Sequence, residues 1–174
     1  GSTVASGSLS GPISLSVGAN VITTVVVSAL NPSVSNTYTL TVTLPAFLTW
    51  DANGTTTPNP SDGAGTWTAA DLWWDGSANE TWTDGNRAVI GNGGTGGTIT
   101  LGTIDAVSVT LTNFTGTYTL SGTGSSLTQS DGITVAANAS SVTISTPVGG
   151  SGGITKNGAG PLTLSGVNTY SGGT

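Results

Sequence analysis

The chain has 174 residues, and 6% of them are charged, where a soluble domain averages about 25%. Two basic against 8 acidic side chains leave a net charge of -6, which repels a phosphate backbone or an anionic membrane and excludes nucleic-acid binding. With no His and no Cys, imidazole and thiolate metal sites, Ser-His and Cys-His nucleophiles and disulfides are all excluded.

Leu, Ile, Val and Phe make up about a fifth of the chain, just enough to expect a folded core. No apolar run approaches the roughly 18 residues that span a bilayer, and the longest, Val21 to Leu30, is interrupted by Thr23, Thr24 and Ser28. Residues 1–46 alternate Thr, Val and Leu with period two: Ile13 to Val17, Val21 to Val27 and Thr37 to Leu44. The breaks Gly18-Ala19-Asn20 and Asn31-Pro32-Ser33 read as turns between strands. Three or four such strands are too few to close a sandwich, so this stretch reads as part of one.

Residues 47–97 differ in character. They hold all five tryptophans (Trp50, Trp67, Trp73, Trp74 and Trp82) and six of the eight acids (Asp51, Asp62, Asp71, Asp75, Glu80 and Asp84). From Thr98 to Thr174 short strands recur at intervals of roughly eight to ten residues, separated by Gly, Asn and Ser, the spacing of a coiled solenoid whose rungs bury apolar rows against one another. The predicted strands are Thr98–Leu101, Val107–Leu111, Thr117–Leu120, Ile133–Val135, Ser141–Ile144, Ile154–Thr155 and Leu162–Leu164, with Leu111, Leu120, Val135, Ile144 and Leu164 facing inward. Helical periodicity is absent, Gly is frequent and good helix formers are rare, so the fold is expected to be all-β.

Ile154-Thr155-Lys156-Asn157-Gly158-Ala159-Gly160-Pro161-Leu162-Thr163-Leu164-Ser165-Gly166-Val167-Asn168-Thr169-Tyr170-Ser171-Gly172-Gly173-Thr174 resembles the autotransporter-associated β-strand repeat, with Pro161 where Thr is commoner. Trp50 to Gly54, Gly65 to Trp67 and Trp82 to Asn86 resemble the Trp-bearing segment ahead of such repeats. Ile13 to Val27 and Thr37 to Thr43 are similar to the C-terminal half of a cadherin-like bacterial β-sandwich module. The resemblance implies a right-handed parallel β-helix from about Thr98 onward in a surface-displayed passenger protein, and names no substrate. The organisation expected is a partial cadherin-like sandwich at 1–46, a Trp-rich capping segment at 47–97 and a β-helix repeat region at 98–174.

Gly91-Asn92-Gly93-Gly94-Thr95-Gly96 fits a dinucleotide fingerprint in spelling, but a predicted strand follows it where a helix is required. Gly149-Gly150-Ser151-Gly152-Gly153 spells a nucleophile elbow in a chain without a His base. Both Gly clusters lack the Asp of a calcium-binding β-roll, Thr98 and Ile154 standing in its place. Asp71, Asp75, Glu80 and Asp84, with Asn79 and Asn86, are oxygen donors that could gather around Ca²⁺, although their spacing fits no standard loop. A pair of these acids is also the only candidate for glycosidase chemistry.

Buried, Trp67, Trp73 and Trp82 would cap the open end of a β-helix; exposed in a row, they would stack on sugars. Trp74, adjacent to Trp73 and so on the opposite strand face, is the candidate exposed ring for a glycan contact. The function expected is non-enzymatic: an extracellular stalk, passenger or fibre segment with adhesive or structural work, no catalytic residue and no cofactor. Its partners would be copies of itself or flanking repeats of a longer chain, joined head to tail, together with a glycan or host-surface ligand. A carbohydrate-binding module and a carboxylate-dependent glycan-cleaving enzyme stand as the alternatives.

Overall fold

A computed structural model describes residues 4–5 and 8–174. Among them there is no helix, as the Gly content and poor helix formers require. The chain divides between Leu44 and Pro45 into two compact units.

The first unit is an antiparallel ribbon of β1 (Gly18–Val27) and β2 (Ser35–Leu44), paired without slippage from Gly18↔Leu44 to Val27↔Ser35. The β-branched residues suit a pleated surface, and Asn31 closes the connecting loop by accepting the Val34 N–H at 2.9 Å. The strand expected at Ile13 to Val17 does not form, and Gly18-Ala19-Asn20, expected as a turn, opens β1 instead. The reason lies in the ladder: β2 runs out opposite Gly18, leaving Ile13 to Val17 without a partner. The Asn20 side chain takes up that backbone, accepting the Ser16 N–H at 2.8 Å and donating to the Ser16 carbonyl at 2.7 Å. Val21, Val25, Val27, Tyr38 and Leu40 are exposed.

The second unit is a β-solenoid. Its strands are β3 (Phe47–Trp50), β4 (Gly65–Thr66), β5 (Trp73–Trp74), β6 (Asn79–Glu80), β7 (Arg87–Ile90), β8 (Thr98–Thr100), β9 (Thr103–Leu111), β10 (Thr117–Ser121), β11 (Ser126–Val135), β12 (Ser141–Ile144), β13 (Val148–Gly150), β14 (Ile154–Lys156) and β15 (Leu162–Leu164). One sheet stacks β4, β8, β10, β12 and β15 in parallel. The other runs β3, β7, β9, β11 in parallel and continues into both β13 and β14. The register of β11 shifts between Gln129 and Gly132, and its two halves pair with separate strands of the next coil. The irregularity at Ser130 and Asp131 lets one strand serve both partners.

Exact register produces columns of like residues. Ile99, Leu120, Ile144 and Leu164 stack in one, Ala88, Val109, Ile133 and Ile154 in a second, and Ile90, Leu111 and Val135 in a third. Leu111, Leu120, Val135 and Ile144 are buried as expected; Leu164, in β15, is half-buried. Parallel coiling begins ahead of Thr98, because β3 already pairs with β7 through Leu48↔Ala88. Leu48 and Trp50 alternate with Phe47 and Thr49 on β3, which gives that strand an inward row of its own.

Close approach at the corners selects glycine. Gly91 (φ +114°) lies against the Thr112 carbonyl and Gly150 (φ +104°) against the Gln129 carbonyl, and in both places a Cβ would overlap that oxygen. A few polar residues enter the core: Ser125 Oγ meets Thr146 Oγ1 at 2.6 Å, and buried Gln129, stacked between Ala106 and Gly150, donates to the Gly152 carbonyl at 2.8 Å while its Oε1 has no partner.

Columnar packing predicts that Leu120→Ala, which opens a void between Ile99 and Ile144, lowers stability by about 2–5 kcal/mol. Thr119→Ala, one residue away on the outer face, should change it by less than about 0.5 kcal/mol. Urea unfolding monitored by Trp fluorescence measures both.

Candidate functional site

The Trp-rich stretch is held on the solenoid by its own short strands. Beyond β3 the pairing turns antiparallel, β3 to β5 (Trp50↔Trp73) and β5 to β6 (Trp73↔Glu80), so that a small hairpin covers the edge that β3 would otherwise expose. Trp50, Trp67, Trp73 and Trp82 are buried and pack edge-on or tilted: the centroids of Trp67 and Trp73 are 4.6 Å apart, those of Trp73 and Trp82 4.8 Å, of Trp67 and Trp82 5.1 Å, and of Trp50 and Trp73 5.3 Å. These are favourable aromatic geometries. Three indole N–H groups find partners: Trp50 donates to the Gly63 carbonyl at 3.0 Å, Trp73 to the Trp67 carbonyl at 2.8 Å and Trp82 to Asp84 Oδ1 at 3.0 Å. Trp74 faces away from Trp73 and is half-buried. Trp50 joins the cluster although the sequence singled out only Trp67, Trp73 and Trp82; the alternation of β3 was the available signal.

The structure does not assemble the acids proposed for a cation. Asp75 Oδ1 accepts the Ser77 N–H and the Ala78 N–H, both at 2.7 Å, and these bonds, Ala78 first and then Ser77, hold its pKa below the usual carboxylate value. Asp84 Oδ1 accepts from Trp82 and from the Asp105 N–H at 3.0 Å, and Asn86 Oδ1 accepts the Ala46 N–H at 2.8 Å. Asp71 sits in a left-handed turn conformation (φ 57°) and Glu80 in β6. Among the described residues no three acidic side chains converge as a metal site would require. Asp75 fastens its own turn, whereas Asp84 and Asn86 bond to segments distant in sequence.

Asp62, given no role from sequence, ties together three distant segments. Its Oδ1 accepts the Tyr118 hydroxyl at 2.6 Å, and its Oδ2 accepts the Asn92 N–H at 2.8 Å and the Gly94 N–H at 2.6 Å. The Gly91 to Gly96 loop, phosphate-binding in spelling, thus spends two of its amides on an internal carboxylate, and β8 follows it. Burial first, and the bond to Asp62 next, push the Tyr118 phenol well above its ordinary pKa. No local pattern could reveal these contacts, because they join residues 30 to 56 positions apart. Beside them lies a shallow hollow of about 330 Å³ lined by Pro58, Pro60, Ser61, Asp62, Asn92 and Gly94.

The outer face of the sheet containing β10 carries stacked hydroxyl side chains. Thr98, Thr119, Thr143 and Thr163 stack in one outward column, and Thr66, Thr100 and Ser121 in another. Parallel pairing sets successive hydroxyls about 4.8 Å apart. None of the five strands in this wall carries a charged residue. It can therefore touch another neutral surface without desolvating an ion.

Residues 154–174, which form β14, β15 and the coil after them, match the family model of the passenger-associated-transport-repeat. The chain carries an autotransporter-passenger β-helix repeat. Over 129 residues, 71% of this chain, it is 33% identical to the adhesin BmaC autotransporter of Brucella suis biovar 1 (strain 1330), of whose length it spans 4%. No solved structure matches it. The passenger repeat accounts for the regularity of the last coil, where the Ser165, Thr169 and Ser171 N–H groups bond back to the Ile144, Val148 and Gly150 carbonyls of the coil before at 2.8–3.0 Å.

The tryptophan packing predicts that Trp67→Ala or Trp73→Ala lowers stability by about 3–5 kcal/mol, and that Trp74→Ala costs less than about half as much. Equal, small losses at all three positions would contradict the packing. A phenol whose folded pKa is raised contributes stability below its unfolded value of about 10, and that stability is lost as pH rises past it. Alkaline denaturation should begin above about pH 10, and Tyr118→Phe should flatten this part of the pH–stability curve.

Proposed function

We propose that the chain is a non-catalytic part of a bacterial surface adhesin: a rigid passenger stalk that holds adhesive surface away from the cell. The observation that carries this reading is the in-register coil stacking that runs unbroken into the passenger repeat at 154–174. The adhesin name of the relative adds support for an extracellular, cell-surface setting. Such a solenoid does mechanical work through its backbone ladders, and the carboxylates of Asp62, Asp75 and Asp84 are taken up by internal hydrogen bonds, which argues against hydrolysis.

In this reading the Trp cluster and the β5–β6 hairpin are the cap of the coil stack, sealing its first apolar layer. At the other end Leu162, Leu164 and Tyr170 are half-buried against the core; a further coil, from flanking repeats or from a copy of the chain joined head to tail, would cover them. The exposed Val and Leu rows of β1 and β2 favour reading that ribbon as part of a cadherin-like sandwich. The uncharged Thr wall is the contact surface for a host-surface or glycan ligand. A polysaccharide platform built on the tryptophans has less support, since only Trp74 retains an accessible ring.

Display of the chain on a bacterial surface tests the proposal. Displayed chain should raise retention on epithelial and polysaccharide-coated surfaces, and Thr119→Lys with Thr143→Lys should abolish most of the gain. Thr110→Lys with Thr134→Lys, on another wall, should leave it. Unchanged retention with the first pair would remove the Thr wall from adhesion, and sugar release from the coated surface would overturn the non-catalytic reading.

A further inference from the structure

The wall of β4, β8, β10, β12 and β15 carries its hydroxyls as a lattice. Ladder bonds from the Ser145 and Ser165 N–H groups to the Leu120 and Ile144 carbonyls, at 2.9 and 3.0 Å, extend the column of Thr100 and Ser121 by two further rungs. That column runs beside the one formed by Thr98, Thr119, Thr143 and Thr163. Each rung from β8 to β15 therefore presents two outward hydroxyls with one inward apolar residue between them: Ile99, Leu120, Ile144 or Leu164. The other sheet has no such surface, because Arg87, Asp105, Asp131 and Lys156 interrupt its strands.

The availability of these hydroxyls is a separate observation. Elsewhere on the solenoid the chain consumes its own: Thr115 Oγ1 donates to the Gly94 carbonyl at 3.1 Å, and Ser151 Oγ to the Ser130 carbonyl at 3.2 Å. Among the described residues, no group of the chain bonds to the side-chain hydroxyls of the two wall columns. Nor can they bond to one another, since rungs about 4.8 Å apart exceed the roughly 2.7–2.8 Å of an O–H···O bond. Branching at Cβ restricts χ1 of each Thr, so methyl and hydroxyl groups recur at the spacing of the backbone. Their hydrogen-bond partners come from outside the chain.

We propose that this wall binds ice. In a tetrahedral lattice of O–H···O bonds about 2.75 Å long, next-nearest oxygens lie about 4.5 Å apart and the repeat along the hexagonal axis is about 7.3 Å. The wall repeats about every 4.8 Å from rung to rung and about every 6.6 Å between outward positions of one strand, so both of its periods fall within about a tenth of those of ice. A match in two directions at once selects a crystalline partner over a single flexible chain. Ice is neutral and offers donors and acceptors alike, and each hydroxyl can both donate and accept. A charged side chain would hold its own hydration shell against the crystal, and these five strands carry none. The proposal rests on the reading of this wall as the adhesive contact and gives that contact a solid-water partner.

The test uses the whole purified chain, without display. Single ice crystals grown in its solution should become faceted and should stay arrested below their melting point, and slow freezing should carry the chain into the ice fraction. Thr119→Lys with Thr143→Lys should abolish these effects, whereas Thr110→Lys with Thr134→Lys should leave them as in the parent. Because the first pair can also perturb folding, its urea midpoint is measured alongside, and Ser121→Thr with Ser145→Thr supplies the opposite change: by completing the second column with Thr it should widen the gap between freezing and melting severalfold. A parent chain that neither shapes nor enters ice, a gap retained in the folded Thr119/Thr143 pair, or binding to microcrystalline cellulose without any effect on ice would each overturn the proposal. Ice binding by a chain that fails to raise retention on coated surfaces would uphold it and overturn the host-adhesion reading instead.

Discussion

The parallel ladder between successive coils is the interaction on which the rest of this molecule depends. Because each strand of one coil pairs in register with the strand a coil earlier, Leu120 can only sit over Ile99, and Ile144 only over Leu120. Register fixes the columns, and the columns exclude water from the ladder that set the register. A slip of one residue would turn every inward Leu, Ile and Val to solvent and every outward Thr to the core. Alternation of large apolar with small hydroxyl residues makes that error costly at each rung.

Scarcity of charge follows from the same geometry. A solenoid stacks equivalent positions about 4.8 Å apart, so a charged residue repeated at one of them would face its like on the next rung. Thr and Ser avoid that repulsion, add β-propensity and still give a wetted surface. The charges are few and mostly unlike their ladder neighbours: Arg87 pairs with Asp131 at 2.8 Å at the register shift of β11, Asp105 lies beside Thr128 and Lys156 beside Val135. A surface of this kind is suited to passive contact over a wide area.

Irregularity is concentrated at the Trp-bearing end, and there the physics changes from columns to clusters. A stack of like side chains has no natural terminus, since its first layer presents an apolar face and an unpaired edge. Here the parallel order stops in an antiparallel hairpin, four indoles fill the layer beside it, and long-range bonds from Asp51, Asp62 and Tyr118 fasten the loops over it.

By itself the sequence determined what is periodic. Strand spacing, Thr and Val alternation and the absence of helix formers established an all-β chain, a coiled solenoid and the inward residues Leu111, Leu120, Val135 and Ile144, and the resemblance of residues 154–174 to the passenger repeat added the family. Each of those properties is written in neighbouring residues. Tertiary structure decided what depends on distant partners. Ile13 to Val17 carries strand alternation yet stays outside the sheet, because β2 ends opposite Gly18. Phe47 to Trp50 joins the coil ahead of Thr98 because β7 lies beside it. The acids that looked gathered in the text do not converge, while Asp62, given no role from sequence, meets Asn92, Gly94 and Tyr118. Periodic side chains announce their own partners; a loop's polar groups acquire theirs only when the chain has closed around them.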